Sequence, residues 1–304
     1  MIAIDVMGGD NAPLVVLEGA LAAAIKGIPV QLHGPEALIT TWLAQHAPAW
    51  QNLPISLVPS IDIISMDEEP VFAVRKKPSS SLVAAVASTA KGTTQAALSA
   101  GNSGAFMAAS ALMMGRFDGI ERPAIAGYLP TLKGTVLALD LGANTDCRPQ
   151  HLLQFAHLGH NHATNVMGIV SPRIGLLSNG HEPTKGSQLV KEAHALLKAD
   201  PTLNFVGNVE PYGIINHDVD VIVCDGFAGN VLLKTMEAIS DLIIAWHPAL
   251  KDDLQQRFAN HSLGGALLLG VKGTAIVCHG NADATTLERA ITFAWKVSGS
   301  NKAV

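Results

Sequence analysis

Val219-Asp220-Val221-Ile222-Val223-Cys224-Asp225-Gly226-Phe227-Ala228-Gly229-Asn230-Val231-Leu232-Leu233 holds a strand, a turn and the start of a helix in one stretch. Val219 to Cys224 is a short β-branched run of the kind that forms a buried strand. Gly226 and Gly229 follow, where the chain has to turn sharply, and Asn230 opens a segment, Val231 to Trp246, whose apolar residues recur at helical spacing. A strand feeding a helix through a tight glycine turn is half of a parallel crossover, so this stretch selects an α/β architecture.

The same grammar extends in both directions. Ile2 to Val6, Ile55 to Val58, Thr135 to Asp140, Arg173 to Leu177 and Thr274 to Val277 read as further buried parallel strands. Leu14 to Ile25, Ser81 to Ala90, Gly104 to Met114 and Ser187 to Leu197 have helical spacing and lie between them. The alternation predicts a doubly wound, mostly parallel sheet, in which ligands bind at the carboxyl ends of strands. No linker, fixed-period repeat or low-complexity tract divides the chain, so residues 1–304 read as one unit: a single large domain or two interlocked lobes. Ser298 to Val304 read as a loose tail.

Composition agrees with that architecture and narrows the partners. Hydrophobic residues make up 48% of the chain and aromatics only 5%, so the core is built from Ala, Val, Ile and Leu. A net charge of -5 provides no basic field for nucleic acid. Cys147, Cys224 and Cys278 are far apart and form no Cys-x-x-Cys pair, which argues against a disulfide frame or zinc knuckle and for a reducing cytoplasm. The uncharged stretch between Lys91 and Arg116 contains too many polar residues, Asn102 and Ser103 among them, to read as a membrane span.

Strand ends run into small polar clusters: Asp5-Val6-Met7-Gly8-Gly9-Asp10, Ser99-Ala100-Gly101-Asn102-Ser103-Gly104, Asp140-Leu141-Gly142-Ala143-Asn144, and the Asp225 turn already quoted. Glycine lets backbone N–H groups approach an anion, and a helix starting there adds its positive end; Gly104 and Asn230 stand at such starts. None of the clusters is a dinucleotide or P-loop fingerprint, so no nucleotide cofactor is expected. Asp5, Asp10, Asp140 and Asp225 lie on separate loops beside Asn residues, which reads as turn and capping chemistry with no metal. His157, His160 and His162 lack a nearby Cys or carboxylate and read as a surface helix end.

These words, with Phe205-Val206-Gly207-Asn208-Val209-Glu210 and Gly180-His181-Glu182-Pro183-Thr184-Lys185-Gly186, resemble the PlsX family of phosphate acyltransferases from Ile2 to about Ile291. The resemblance implies transfer of a long-chain acyl group from acyl-acyl carrier protein to inorganic phosphate, making acyl phosphate for phospholipid synthesis without a cofactor. It also implies an isocitrate/isopropylmalate dehydrogenase-like, phosphotransacetylase-like fold and a homodimer. It points to Lys185, Asn102 and His279 as catalytic. Gly8, Gly9, Asp10, Ser99, Ser103, Gly104, Asn144, Asn208, Asp225 and Asn230 are the implied phosphate and substrate residues. Ser103 stands where the family usually has Thr and keeps the hydroxyl.

The chain departs from the family in residues 238–263, a shortened helical insert of mixed charge where the family has a longer basic and apolar hairpin. Carrier recognition then falls to Arg75, Lys76 and Arg257, since an acidic carrier needs basic residues. The expected setting is the cytoplasm, with peripheral contact at the inner face of the membrane and a membrane glycerol-phosphate acyltransferase downstream. The competing readings are a phosphotransacetylase-like enzyme acting on acyl-coenzyme A, a non-catalytic carrier-binding module, and a dehydrogenase on the same fold.

Overall fold

The computed structural model describes residues 1–251 and 264–300. The chain forms two compact units: Met1–Phe117 with Leu263–Val304, and Asp118–Ser262.

The first unit is built on strands β1 (Ile2–Asp5), β2 (Val30–Gly34), β3 (Ile55–Pro59), β4 (Ala96–Ser99), β10 (Ala266–Leu269) and β11 (Thr274–Val277), in the order β3-β2-β1-β4-β11-β10. All pair in parallel except β10, which runs antiparallel to β11. Every residue of β1 and β4 is buried, so both faces of the sheet are covered. Helices α1 (Leu14–Ile25) and α10 (Ala284–Ser300) pack on each other, and α10 also packs on β4 and β11. Helix α4 (Ser81–Ala90) packs on β1, β2 and β4 and on α5 (Ser103–Met113). Helices α2 (Glu36–His46) and α3 (Pro70–Lys76) complete the unit, α3 lying against α5.

The second unit has β5 (Ala124–Thr131), β6 (Gly134–Leu139), β7 (Ile174–Leu177), β8 (Phe205–Val209) and β9 (Val221–Val223), in the order β5-β6-β9-β7-β8. Only β5, paired with β6, is antiparallel. Helices α6 (Pro149–Asn165) and α7 (Gln188–Ala199) pack together, α6 on β6 and β9 and α7 on β7 and β8. Helix α8 (Pro211–Ile215) contributes Ile214 to a core of Leu129, Val136, Leu141, Val219 and Ile222, against which α9 (Gly226–Trp246) packs Leu232, Leu233 and Met236.

The doubly wound, mostly parallel reading holds, with two corrections. The Thr135 and Thr274 runs each have one antiparallel neighbour, because β5 and β10 join them through turns too short for a crossover helix. Ser298 to Ser300 are the last turn of α10 and no loose tail, while 301–304 lie outside the described residues. The opening stretch is the β9–α9 unit, with the helix starting one turn earlier than the apolar periodicity shows, at Gly226. The uncharged stretch before Arg116 is divided between β4 and α5.

Candidate active site

In the first unit the loops after β1, β4 and β11 meet. Asp10 N donates to Gly280 O at 2.7 Å, and Cys278 N donates to Ser99 O at 2.9 Å. Beneath them lies Asp5, only 2% exposed. Its carboxylate accepts from Ser81 Oγ at 2.5 Å, Ser99 Oγ at 2.7 Å and Met7 N at 3.3 Å. Burial pushes this carboxyl above its ordinary value, outweighing the Ser81, Ser99 and Met7 hydrogen bonds that pull it down. Ser99 Oγ also accepts from Gly101 N at 3.0 Å. Asn102 is the N-cap of α5, its Oδ1 taking Ala105 N at 3.0 Å. Its Nδ2 donates to the carbonyls of Ser65, Met66 and Glu68, fastening that loop to the helix start. Ser103 then stands exposed in the first turn, followed by Gly104, with the helix dipole adding positive potential. Asp10 and His279 are exposed at the same end.

In the second unit the carboxyl ends of β6 and β9 carry a matching arrangement. Asp140 is fully buried and accepts from the backbone N–H of Ile125, Gly142 and Ala143 on Oδ1, and from Asn144 N and Nδ2 on Oδ2. Burial again pushes the carboxyl up, against the pull of those bonds. Asn144 Nδ2 also reaches Pro123 O, and Asn144 O accepts from Gly226 N at 2.8 Å, which ties the two loops together. Asp225 is the N-cap of α9, accepting from Ala228 N, and Asn230 Nδ2 donates to Leu141 O.

Lys185 lies in the loop between β7 and α7. The loop is folded by Lys185 N donating to Glu182 O at 3.0 Å and Gly186 N donating to Asn179 Oδ1 at 2.9 Å. Asn208, on β8, braces it with Nδ2 to Glu182 O at 2.9 Å, while its Oδ1 meets His194 Nδ1 at 3.0 Å. Lys185 is exposed, and its ammonium forms no hydrogen bond or ion pair among the described residues.

The expected residues thus fall into two classes. Ser99, Asn102, Asn144 and Asn208 are buried and their side chains serve internal bonds, as does the Asp225 cap. Asp10, Ser103, Lys185 and His279 present exposed polar groups, while Gly8 and Gly9 belong to the loop after β1 and Gly104 to the first turn of α5. Arg75 and Lys76 are exposed on the last turn of α3, with Lys76 Nζ 5.2 Å from the centre of the Phe72 ring; Arg257 lies outside the described residues. The second unit brings Asn144, Asp225 and Asn230 into one ring, and Lys185 and Asn208 into a separate loop cluster. Sequence reasoning treated Asp5 and Asp140 as turn acids and missed that each organises a loop; the available signal was a carboxylate directly after a buried strand. It also gave no role to Ser81 or His194.

The cysteines are poor nucleophiles here. Burial, reinforced by Asp140 and Asp225, pushes the Cys147 thiol up to about 11 and raises Cys224 well above its ordinary value, and burial alone pushes Cys278 up to about 12. The three α6 histidines correct the expectation of a surface helix end. His157 pairs with Asp200, His162 is buried against the Tyr128 hydroxyl at 2.5 Å, and His160 Nδ1 is buried without a partner among the described residues. No group of three or more candidate metal ligands occurs among the described residues, and no helix among them is long and apolar enough to cross a membrane.

The whole chain, residues 1–304, matches the family described as fatty acid synthesis protein. A phosphate acyltransferase from Anaeromyxobacter sp. (strain K) is 42% identical over 307 residues, covering 95% of this chain and 84% of the relative. Another, from Geotalea uraniireducens (strain Rf4), is 43% identical over 314 residues, covering 96% of this chain and 89% of the relative. Among solved structures, the EutD phosphotransacetylase from Staphylococcus aureus superposes with a TM-score of 0.63 at 16% identity, covering 96% of both chains. A phosphotransacetylase from Streptococcus pyogenes gives 0.64 at 16% identity, over 97% of this chain and 93% of that one. At that identity the structures establish the fold, which is the phosphotransacetylase-like α/β type that the motif words imply.

Proposed function

The chain belongs to the fatty acid synthesis protein family, and from that premise we propose that it is a phosphate acyltransferase moving a long-chain acyl group from acyl-acyl carrier protein onto inorganic phosphate. The observation that carries the reading is the match along the whole chain, with relatives above 40% identity that are phosphate acyltransferases.

A phosphate oxygen attacks the thioester carbonyl directly. The new C–O bond forms as the C–S bond breaks, and the proton of hydrogen phosphate passes to the departing sulfur. The high thiol pKa values support this route over an acyl-cysteine intermediate, because a protonated thiol is a weak nucleophile. In the first unit the phosphate-holding role goes to the Ser103 and Gly104 amides and the Ser103 hydroxyl, at a helix start suited to an anion. His279, exposed after β11, is the group assigned to proton transfer there. In the second unit Lys185 is the cation that stabilises developing negative charge. Arg75 and Lys76 serve the acidic carrier.

The assembly proposed is a homodimer in the cytoplasm, working at the inner face of the membrane, where a glycerol-phosphate acyltransferase consumes the acyl phosphate. An exposed apolar row on α9, formed by Phe227, Val231, Ile239, Leu242 and Trp246, supports a second copy as its cover.

Phosphate-dependent loss of acyl-acyl carrier protein tests the reading. Carrier turnover is expected in the wild type, and Lys185→Ala is expected to lower kcat by about 10²-fold or more, the cost of removing one preorganised charge-stabilising group. Turnover of acyl-coenzyme A alone would reassign the donor, and no turnover of either thioester would overturn the reading.

A further inference from the structure

We infer that Asp5 is a positioning residue for phosphate, acting through Ser99 and Gly101 on the turn that starts α5; the inference rests on the phosphate acyltransferase reading above. The chain of contacts is short. Asp5 Oδ2 accepts from Ser99 Oγ, Ser99 Oγ accepts from Gly101 N, and the next residue, Asn102, caps the helix whose first amides belong to Ser103 and Gly104. Gly8 and Gly101 close over the carboxylate without side chains: a methyl on Gly8 would lie 2.7 Å from Gly101 N and inside contact distance of Asp5 Oδ2. The carboxylate therefore sets where the Gly101 turn can lie, and the turn sets where the Ser103 and Gly104 amides point.

Stability alone gives little reason for this acid. Asp5 is buried with no ion-pair partner among the described residues, and hydroxyls and one amide replace the water it has lost. Burying such a carboxylate without a cation carries a desolvation cost that neutral donors offset only in part. Ser99, expected from the motif words to touch phosphate, is only 1% exposed and bonded on both sides, so its hydroxyl transmits position and does not contact substrate.

Ser81 provides the control. It donates to the other carboxylate oxygen at 2.5 Å from the start of α4, and its hydroxyl has no onward bond to the Gly101 turn. Ser81→Ala and Ser99→Ala each remove one hydroxyl from Asp5, but only the second cuts the link to Gly101. Steady-state kinetics of the full chain, with phosphate varied at saturating acyl-acyl carrier protein, separate the two. Both variants are expected to melt at similar, slightly lower temperatures. Ser99→Ala is expected to raise the phosphate KM roughly tenfold, the scale of a sub-ångström misplacement of binding groups, while Ser81→Ala stays within about twofold. Neither is expected to change the carrier KM. Ser99→Cys, which keeps a weak acceptor of similar size, is expected to fall between wild type and Ser99→Ala, and it replaces Ser99→Ala if that variant does not fold. Equal phosphate KM values in the Ser81 and Ser99 variants would overturn the inference while leaving the reaction standing. A wild type with no phosphate-dependent turnover would overturn both.

Discussion

Asp5 and Asp140 occupy similar places in their units, each at the carboxyl end of an interior strand, β1 and β6, and each is buried. Their partners differ in kind. Asp5 is met mainly by the hydroxyls of Ser81 and Ser99, which belong to other elements and lie 76 and 94 residues away in sequence. Asp140 is met by N–H groups, most of them from the Gly142, Ala143 and Asn144 turn that follows it. The first carboxylate is a tertiary clasp and the second a local one. A hydroxyl can turn from donor to acceptor, whereas an amide N–H can only donate. The two sites should therefore tolerate change very differently.

The largest effect is expected from the glycines packed on the two loops. At Gly229 an added methyl would fall inside the radius of Asp140 O and 2.8 Å from Cys224 Sγ, so backbone stands in its way. Gly229→Ala is expected to cost about 3 kcal/mol or more, as overpacking against an immovable group does. At Gly8 the obstacles are the Asp5 side chain and the Gly101 backbone, whose N lies 2.7 Å from the added methyl, so the overlap with backbone is shallower than at Gly229. Gly8→Ala is expected to cost about 1 to 2 kcal/mol less. Urea denaturation of the two variants checks the order, and an equal or reversed order would remove this distinction between the two loops.

Replacing each acid by its amide tests the hydroxyl argument directly. Asp140→Asn points an NH₂ at N–H donors whichever way it is turned, so unsatisfied donors face one another in a buried site. The expected loss is about 2 to 3 kcal/mol. Asp5→Asn can point its NH₂ at Ser99, whose hydroxyl rotates to accept, and the expected loss is about 1 kcal/mol or less. Chemical denaturation gives both values, and similar losses would mean that the Ser81 and Ser99 hydroxyls are as fixed as amides.

The same distinction explains what could be read from the sequence. Short β-branched runs and helical spacing are local signals, and they locate α1 and α4 closely and the β9–α9 unit to within one turn. The Asp140 word is legible as a turn for the same reason, since carboxylate, glycine and Asn144 lie within one short stretch, although the buried acid's hold on that turn is not read from it. The Asp5 clasp is not legible, because Ser81 is one more helix-start serine until the fold brings it to β1. Strands β2, β4, β5, β8 and β10 escaped for a related reason: Val30-Gln31-Leu32-His33-Gly34 and Ala96-Ala97-Leu98-Ser99 are buried by their neighbours despite weak strand propensity of their own. Exposure separates Lys185 and Ser103 from Asn102 and Asn208, and no motif encodes it.

A third acid, Asp220, sharpens the comparison through pH. It lies just before β9, so it stands at the end of the sheet opposite Asp140, and its partner is a cation: Arg173 Nε and Nη2 bind its two oxygens at 3.0 and 2.9 Å. Burial alone would raise the Asp220 carboxyl, but the Arg173 guanidinium and backbone N–H outweigh it and hold the group below its ordinary value of 3.8. A depressed carboxyl contributes stability above its unfolded value, and that contribution is lost as pH falls through the folded value. Because the Arg173 side chain is 40% exposed, solvent screening reduces the contribution to about 1 kcal/mol. Asp220→Asn should accordingly be less stable than wild type by about that amount near neutral pH, with the gap closing as the solution is acidified below the ordinary carboxylate value. Asp5 and Asp140, whose carboxyls burial pushes the other way, give their amide variants the opposite trend, a deficit that grows on acidification. Urea midpoints of the three amide variants across the acid range decide the matter: gaps that all move in one direction would show that a carboxylate held by a cation and one held by neutral donors respond alike to protonation.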